Sequence, residues 1–291
     1  MSPPHYLPPT LKSSPPLPPR ETLPTMYDLP SEYVDEPGVP DEFHIWQPEL
    51  LSSTFYPPDW ERDAVFVASD MHLYYDWQNP LRYKRPDWFG VVGVRRLYGD
   101  RDLRLSYVTW QEPALPTVVV ELLSPSTRNE DLGRRPPGGN IPRKWEVYEQ
   151  ILAIPYYVTF DRYTDALQIF HLTAGRYTAL DLTEPRVWMP ELNLGLGLWQ
   201  GRHRELSRLW LRWYDADGRW VPTEAEQARS QAEQAFIRAE QERGRAEQAR
   251  LQAEQAQSQA EQAQLQAAQE RQRAERLAAR LRALGVDPDD L

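Results

Sequence analysis

A mixed α/β sheet followed by a long C-terminal helix is the architecture that this 291-residue sequence predicts. Three observations carry it. Short runs rich in β-branched and aromatic residues recur through the middle of the chain, one run with helical spacing interrupts them, and residues 223–284 repeat with a period of seven.

Residues 1–58 hold 15 of the 28 prolines. The opening MSPPHYLPPTLKSSPPLPPRETLP is too poor in backbone donors for regular structure, so a solvated, extended or disordered arm is expected. A ligand for a proline-recognising domain is the alternative. From Tyr27 to Tyr56, scattered aromatics predict a segment draped on the core without an element of its own.

Residues 59–221 read as the globular domain. AVFVASDMHLYY predicts a strand from Ala64 to Ala68, and PDWFGVVGV one from Asp87 to Val94, entered through a proline. TVVVELL predicts a strand buried on both faces. KWEVYEQIL spaces Trp145, Val147, Tyr148, Ile151 and Leu152 as a helix does. PYYVTFD and ALQIFHL predict a hairpin through the polar turn RYTD. RLWLRWYDADGRWVP predicts a strand pair turning at Asp217-Gly218.

Residues 223–284 are of another kind. The triplet Ala-Glu-Gln starts at 225, 232, 239, 246, 253 and 260, so Ala225, Ala228, Ala232, Ala235 and Ala239 begin a heptad stripe. A straight helix of that length spans roughly 90 Å. Alanine buries little area, and Gly244, Glu242 and Glu270 weaken the stripe, which Leu277, Leu281 and Leu284 anchor. A coiled coil giving a homo-oligomer and a solitary helix are both open readings. The last residues, 285–291, form a tail.

Composition narrows the function. The absence of cysteine excludes disulfides, thiolate zinc sites and cysteine nucleophiles. No apolar run approaches the ~18 residues of a membrane span. The N-terminus lacks the basic start and apolar centre of a secretory signal, so a cytoplasmic protein is expected. The net charge of −10 argues against a generally basic nucleic-acid binder, but residues 59–222 are close to neutral and leave room for a local basic surface.

Glu121 stands out chemically, because it lies between Val120 and Leu122 in a strand that otherwise asks for a dry core. A carboxylate there costs several kcal/mol, on the order of a lost ion pair, unless it is paired or holds a metal. Asp87 opens the other apolar strand in the same way. Two such strands side by side would bring the acids to one sheet edge, where Mg²⁺ or Mn²⁺ relieves their repulsion and supports phosphate chemistry. A cation is then needed near the phosphate. The chain has three lysines, Lys12, Lys84 and Lys144, and Lys144 opens the helix after Glu121, one turn before Tyr148 on the same face.

The succession RPDWFGVVGV, PTVVVELLSPSTRNEDLG and KWEVYEQILAIPYYVTFD resembles a large bacterial family of restriction endonucleases, abundant in cyanobacteria, within the PD-(D/E)XK nuclease superfamily. The resemblance covers roughly residues 60–200, and a C-terminal coiled coil is common in that family. It implies a restriction-endonuclease-like core with Asp87 and Glu121 as metal ligands and DNA as the substrate. The superfamily pattern wants lysine two residues after Glu121, where Leu123 stands. In the family the lysine moves to the following helix, which points to Lys144, although GRRPPGGNIPR between them resembles an insertion. Arg134, Arg135 or Arg143 would substitute electrostatically but poorly as a base.

Each residue also has a plainer reading. Asp87 also reads as a strand-end cap, Glu121 as an arginine partner, and Lys144 as a solvated helix start. Asp131 is either a turn residue or an auxiliary carboxylate, and Tyr148 either packs or hydrogen-bonds a catalytic group. Ser124 and Ser126, flanking Pro125, read as turn formers. His44, His72, His171 and His203 lack metal-ligand spacing. Two functions follow: a metal-dependent nuclease using Asp87, Glu121 and Lys144, or a catalytically inactive nuclease-like scaffold that binds partners through its coiled coil.

Overall fold

The computed structural model describes residues 41–134 and 141–283, so the expected proline arm up to residue 40 and the tail lie outside the described residues. The chain divides into two compact units, Met1–Thr223 and Glu224–Leu291.

The first unit is built on a six-stranded sheet. Its strands, in spatial order, are β1 (Val65–Ala68), β4 (Trp88–Val92), β6 (Val118–Leu122), β7 (Tyr156–Asp161), β8 (Ala166–Thr173) and β9 (Arg176–Ala179). All neighbours run antiparallel except β6 and β7, which are parallel. A parallel pair needs a crossover, and residues 123–155 supply it.

Both faces of the sheet are covered, which is why β6 and β7 are buried at every position. Val118, Val120 and Leu122 face one layer, made by helix α1 (Phe43–Thr54) and the meander of β10 (Arg186–Met189), β11 (Leu194–His203) and β12 (Leu206–Tyr214). Val119 faces the other layer, where Val147 and Tyr148 of the crossover pack with Leu73 and Tyr107. Those last two belong to a small sheet of β2 (Leu73–Tyr74), β3 (Tyr83–Lys84) and β5 (Tyr107–Val108).

Helix α1 corrects the expectation that residues up to Tyr56 carry no element. Phe43, Gln47, Leu50, Leu51 and Thr54 are buried at helical spacing. Pro48 lies inside this helix and Gln47 interrupts the apolar stripe, which hid it. Gln47 is there for a reason: its amide donates to Leu211 O and accepts from Leu211 N–H, both at 2.8 Å, tying α1 to β12.

The tryptophan-rich end is also corrected. Leu206–Tyr214 pairs back onto β11 through Arg204-Glu205, both in the left-handed region, and the expected partner after Asp217-Gly218 is reduced to a single bridge between Tyr214 and Trp220. Glycines disguised β11, yet Gly195 is required: a Cβ there would lie 2.0 Å from the Tyr214 ring.

Among the described residues the second unit is one helix, α4 (Glu224–Ala283), with no buried residue. No helix among the described residues is long and apolar enough to cross a membrane.

Candidate active site

The site is built where β4 and β6 meet. Trp88 pairs with Val120, which sets Asp87, just ahead of β4, opposite Glu121. Glu121 belongs to the face of Val119, so its carboxylate enters the crossover layer and is fully buried. Residues 123–155 then bring three further groups to it.

The turn after β6 is held by Ser124, whose Oγ accepts from Thr127 N–H at 3.3 Å and lies 3.1 Å from Thr127 Oγ1. It leads into the short helix α2 (Arg128–Asp131), which ends on the buried Asp131. Helix α3 (Lys144–Glu146) follows and continues as a π turn over Val147–Ile151, rather than as the uniform helix its spacing predicts. Single π turns recur at functional sites. Here one presents Tyr148 inward.

Glu121 is fully engaged. Its Oε1 accepts from Tyr148 OH at 2.9 Å, and its Oε2 accepts from Lys144 Nζ at 2.9 Å and Asp87 N–H at 3.3 Å. Asp87 Oδ2 accepts from Leu122 N–H at 2.6 Å. Lys144 Nζ also lies 2.9 Å from Asp131 Oδ1. Neither Asp131 oxygen meets hydrogen-bond geometry with a described residue, so this contact is an ion pair only. All five residues singled out in the sequence, Asp87, Glu121, Asp131, Lys144 and Tyr148, therefore converge. Arg143 turns elsewhere, donating to Glu146 at 2.6 Å, and Arg135 lies outside the described residues.

The charges do not balance. Burial pushes Glu121 well above the ordinary carboxylate range, with Asp131 and Asp87 reinforcing it against Lys144. Burial likewise raises Asp87, opposed by Lys144 and His44. Burial acts against the Lys144 ammonium, but Asp131, Glu121 and Asp87 overcome it and hold the lysine well above its usual value. The surrounding carboxylates thus favour the charged form of Lys144. Three carboxylates share this one ammonium in a poorly solvated place.

That excess fits a hard divalent cation, which typically takes one or two carboxylates and keeps several waters. The unbonded oxygens of Asp131 fit it as well. Among the described residues, no three histidine, aspartate or glutamate side chains are gathered as a ready metal cage.

Three further residues, none of them a candidate from the sequence, border the site. Lys84 Nζ lies 3.7 Å from Glu130 Oε1, which accepts the backbone N–H of Lys144 at 2.9 Å. The rarity of lysine that singles out Lys144 applies equally to Lys84. Thr159 pairs in register with Glu121 on β7, buried, with its hydroxyl unbonded among the described residues. His44 Nε2 reaches Leu122 O at 3.0 Å while Nδ1 meets Asp41 Oδ1 at 3.0 Å. No local signal marks these two.

Fold and site together define a class: a mixed α/β domain that carries an Asp–Glu–Lys constellation at the junction of two neighbouring strands. The chain belongs to the Uma2 family, whose profile, described as "Putative restriction endonuclease", matches residues 17–207. Among solved structures it is similar to a "putative nuclease belonging to DUF820" from Anabaena variabilis ATCC 29413, at 11% identity and a TM-score of 0.35 over 50% of this chain and 70% of that one. No curated protein matches the chain.

Proposed function

We propose that the chain is a metal-dependent nuclease of the PD-(D/E)XK kind that hydrolyses phosphodiester bonds in DNA. The observation that carries this reading is the shared Lys144 ammonium, 2.9 Å from both Glu121 and Asp131, with Asp87 across the strand junction.

Asp87 and Glu121 would hold Mg²⁺ or Mn²⁺, with Asp131 as an auxiliary carboxylate. The ion, when bound, supplies Lewis acidity toward the phosphate and a more acidic water. Tyr148 fixes Glu121 by donating to one oxygen and leaving the other to the charged side of the site. Lys144, held protonated, does not act as a base. It orients the attacking water and stabilises charge on the phosphate, as positioned cations do. With a net charge of −10 on the chain, DNA binding should be weak and fall with added salt.

Calorimetry with Mg²⁺ and Mn²⁺ on the wild type, Asp87→Ala and Glu121→Ala tests the site, followed by a cleavage screen on DNA. Binding lost in both variants and cleavage lost with it support the reading. No metal binding in the wild type, with or without DNA, overturns it.

A second reading is favoured by α4, which is 60 residues long with none buried and carries an alanine stripe. In this reading the domain is an inactive scaffold and the helix binds a second copy or another partner. Sedimentation of the full chain against Ala235→Glu and Ala249→Glu variants tests self-association: a dimer that both substitutions dissociate supports it, and a monomeric wild type removes it.

A further inference from the structure

The outward face of the small β2–β3–β5 sheet carries a cluster of rings that the catalytic reading does not use. Tyr74 pairs with Tyr83 across β2 and β3, so both side chains stand on one face, while the paired Leu73 and Lys84 stand on the other. His72 joins the outer face, stacked on Tyr83 with ring centres 3.9 Å apart and planes 23° from parallel. Tyr74 sits edge-on to Tyr83 at 5.6 Å, and Trp110 edge-on to Tyr74 at 6.4 Å. Tyr83 and Trp110 are exposed, as is Trp77 in the connection between β2 and β3.

Two arginines border these rings, Arg82 just before Tyr83 and Arg85 two residues after it. Strand β3 lies in the sequence Arg82-Tyr83-Lys84-Arg85, and no other four consecutive residues of 59–222 hold three cations. Arg82 pairs with Asp76 and Arg85 with Asp70. Both pairs are partly open to solvent, where such contacts contribute little and can yield to phosphate. Exposed rings bordered by arginines suit nucleobases stacked on the aromatics with their phosphates on the arginines. Unpaired bases alone offer their faces in this way; a duplex keeps them stacked on each other.

The strand also leads to the site. Lys84 follows Tyr83 directly and turns inward to Glu130, whose carboxylate accepts from the Lys144 backbone. We propose that the ring-bearing face of β2–β3–β5, with Tyr83 at its centre, binds single-stranded nucleic acid and delivers it toward the Asp87–Glu121–Lys144 cluster. The delivery rests on the nuclease reading; the binding does not.

The test uses the full chain in EDTA, so that binding is read without hydrolysis. Fluorescence anisotropy of a labelled twelve-nucleotide oligothymidine is compared with that of a labelled twelve-base-pair duplex. Tighter binding of the single strand is expected, with Tyr83→Ala and Trp110→Ala each weakening it by about tenfold, the loss of one stacked base, and Tyr83→Phe restoring it. Circular dichroism confirms that the variants fold. Equal binding of duplex and single strand overturns the inference, as does single-strand binding that survives both alanine substitutions. Binding of neither oligonucleotide also overturns it and leaves the face to a protein partner. Absence of cleavage in the separate metal-loaded assay counts against the nuclease reading alone.

Discussion

Asp87 and Glu121 hold each other across the β4–β6 junction by reciprocal bonds: the Asp87 N–H donates to the Glu121 carboxylate, and the Leu122 N–H donates to the Asp87 carboxylate. Two like charges are thereby kept adjacent by backbone donors rather than by each other. In the proposed function this pairing would present both carboxylates to a metal ion.

Glu121→Gln relieves that strain. Because burial and its acidic neighbours raise the Glu121 carboxyl, the folded chain keeps this proton to higher pH than the unfolded chain does. The folded state then binds more protons, so metal-free stability falls as pH rises above the ordinary glutamate value of about 4.3. In Glu121→Gln this part of the slope disappears, and if the nuclease reading holds, Mg²⁺ binding is lost with it. Urea midpoints from pH 4 to 8 in EDTA check the slope, and an unchanged slope would refute the charge excess.

Lys144→Met leaves Glu121 and Asp131 buried without their shared cation. Breaking a buried pair by removing one partner costs about 3–5 kcal/mol. Urea denaturation at pH 7 should show a loss of that order, smaller at pH 5, where the Glu121 carboxyl, raised by burial, more readily takes up a proton.

Tyr148→Phe removes only the donor to Glu121 Oε1 and keeps the packing of the ring. Hydrogen bonds to charged groups contribute roughly 1.5–3 kcal/mol, and a stability loss in that range is expected. If the nuclease reading holds, turnover falls with it, because the freed Glu121 side chain is no longer fixed.

His44 ties helix α1 to the site. Burial opposes its charge, but Asp41 and Asp87 overcome it and raise its basicity; when protonated, both ring nitrogens donate, to Asp41 and to Leu122 O. Its stabilising contribution is complete below the unfolded histidine value of about 6.5 and is lost as pH rises through the higher folded value. His44→Gln should therefore cost roughly 2 kcal/mol at pH 5.5 and progressively less toward pH 9. Equal costs at both ends would show that the ring stays neutral.

What could be read locally was read from burial cost and spacing. Three valines before Glu121 mark a two-sided buried strand, and the same burial makes a carboxylate there conspicuous. Lys144 and Tyr148 are four residues apart, and both reach Glu121. Where such signals are diluted, local spacing hides the element: α1 holds a proline and a glutamine in its buried stripe, β11 holds three glycines, Gly195, Gly197 and Gly201, and β2, β3 and β5 are two residues each.

The sequence alone determined the core strands of the sheet, the period-seven helix, and the acids and lysine worth watching, because each is set by neighbours within a turn or a strand. Only the tertiary structure decided that Asp131, Lys144 and Tyr148 share one carboxylate site. They lie on the crossover that the parallel β6–β7 pair requires, and packing that crossover on the sheet brings residues 10 to 27 positions beyond Glu121 to within hydrogen-bond distance or ion-pair reach of one another. Long-range burial, which no local spacing encodes, also placed Lys84 and Thr159 beside them.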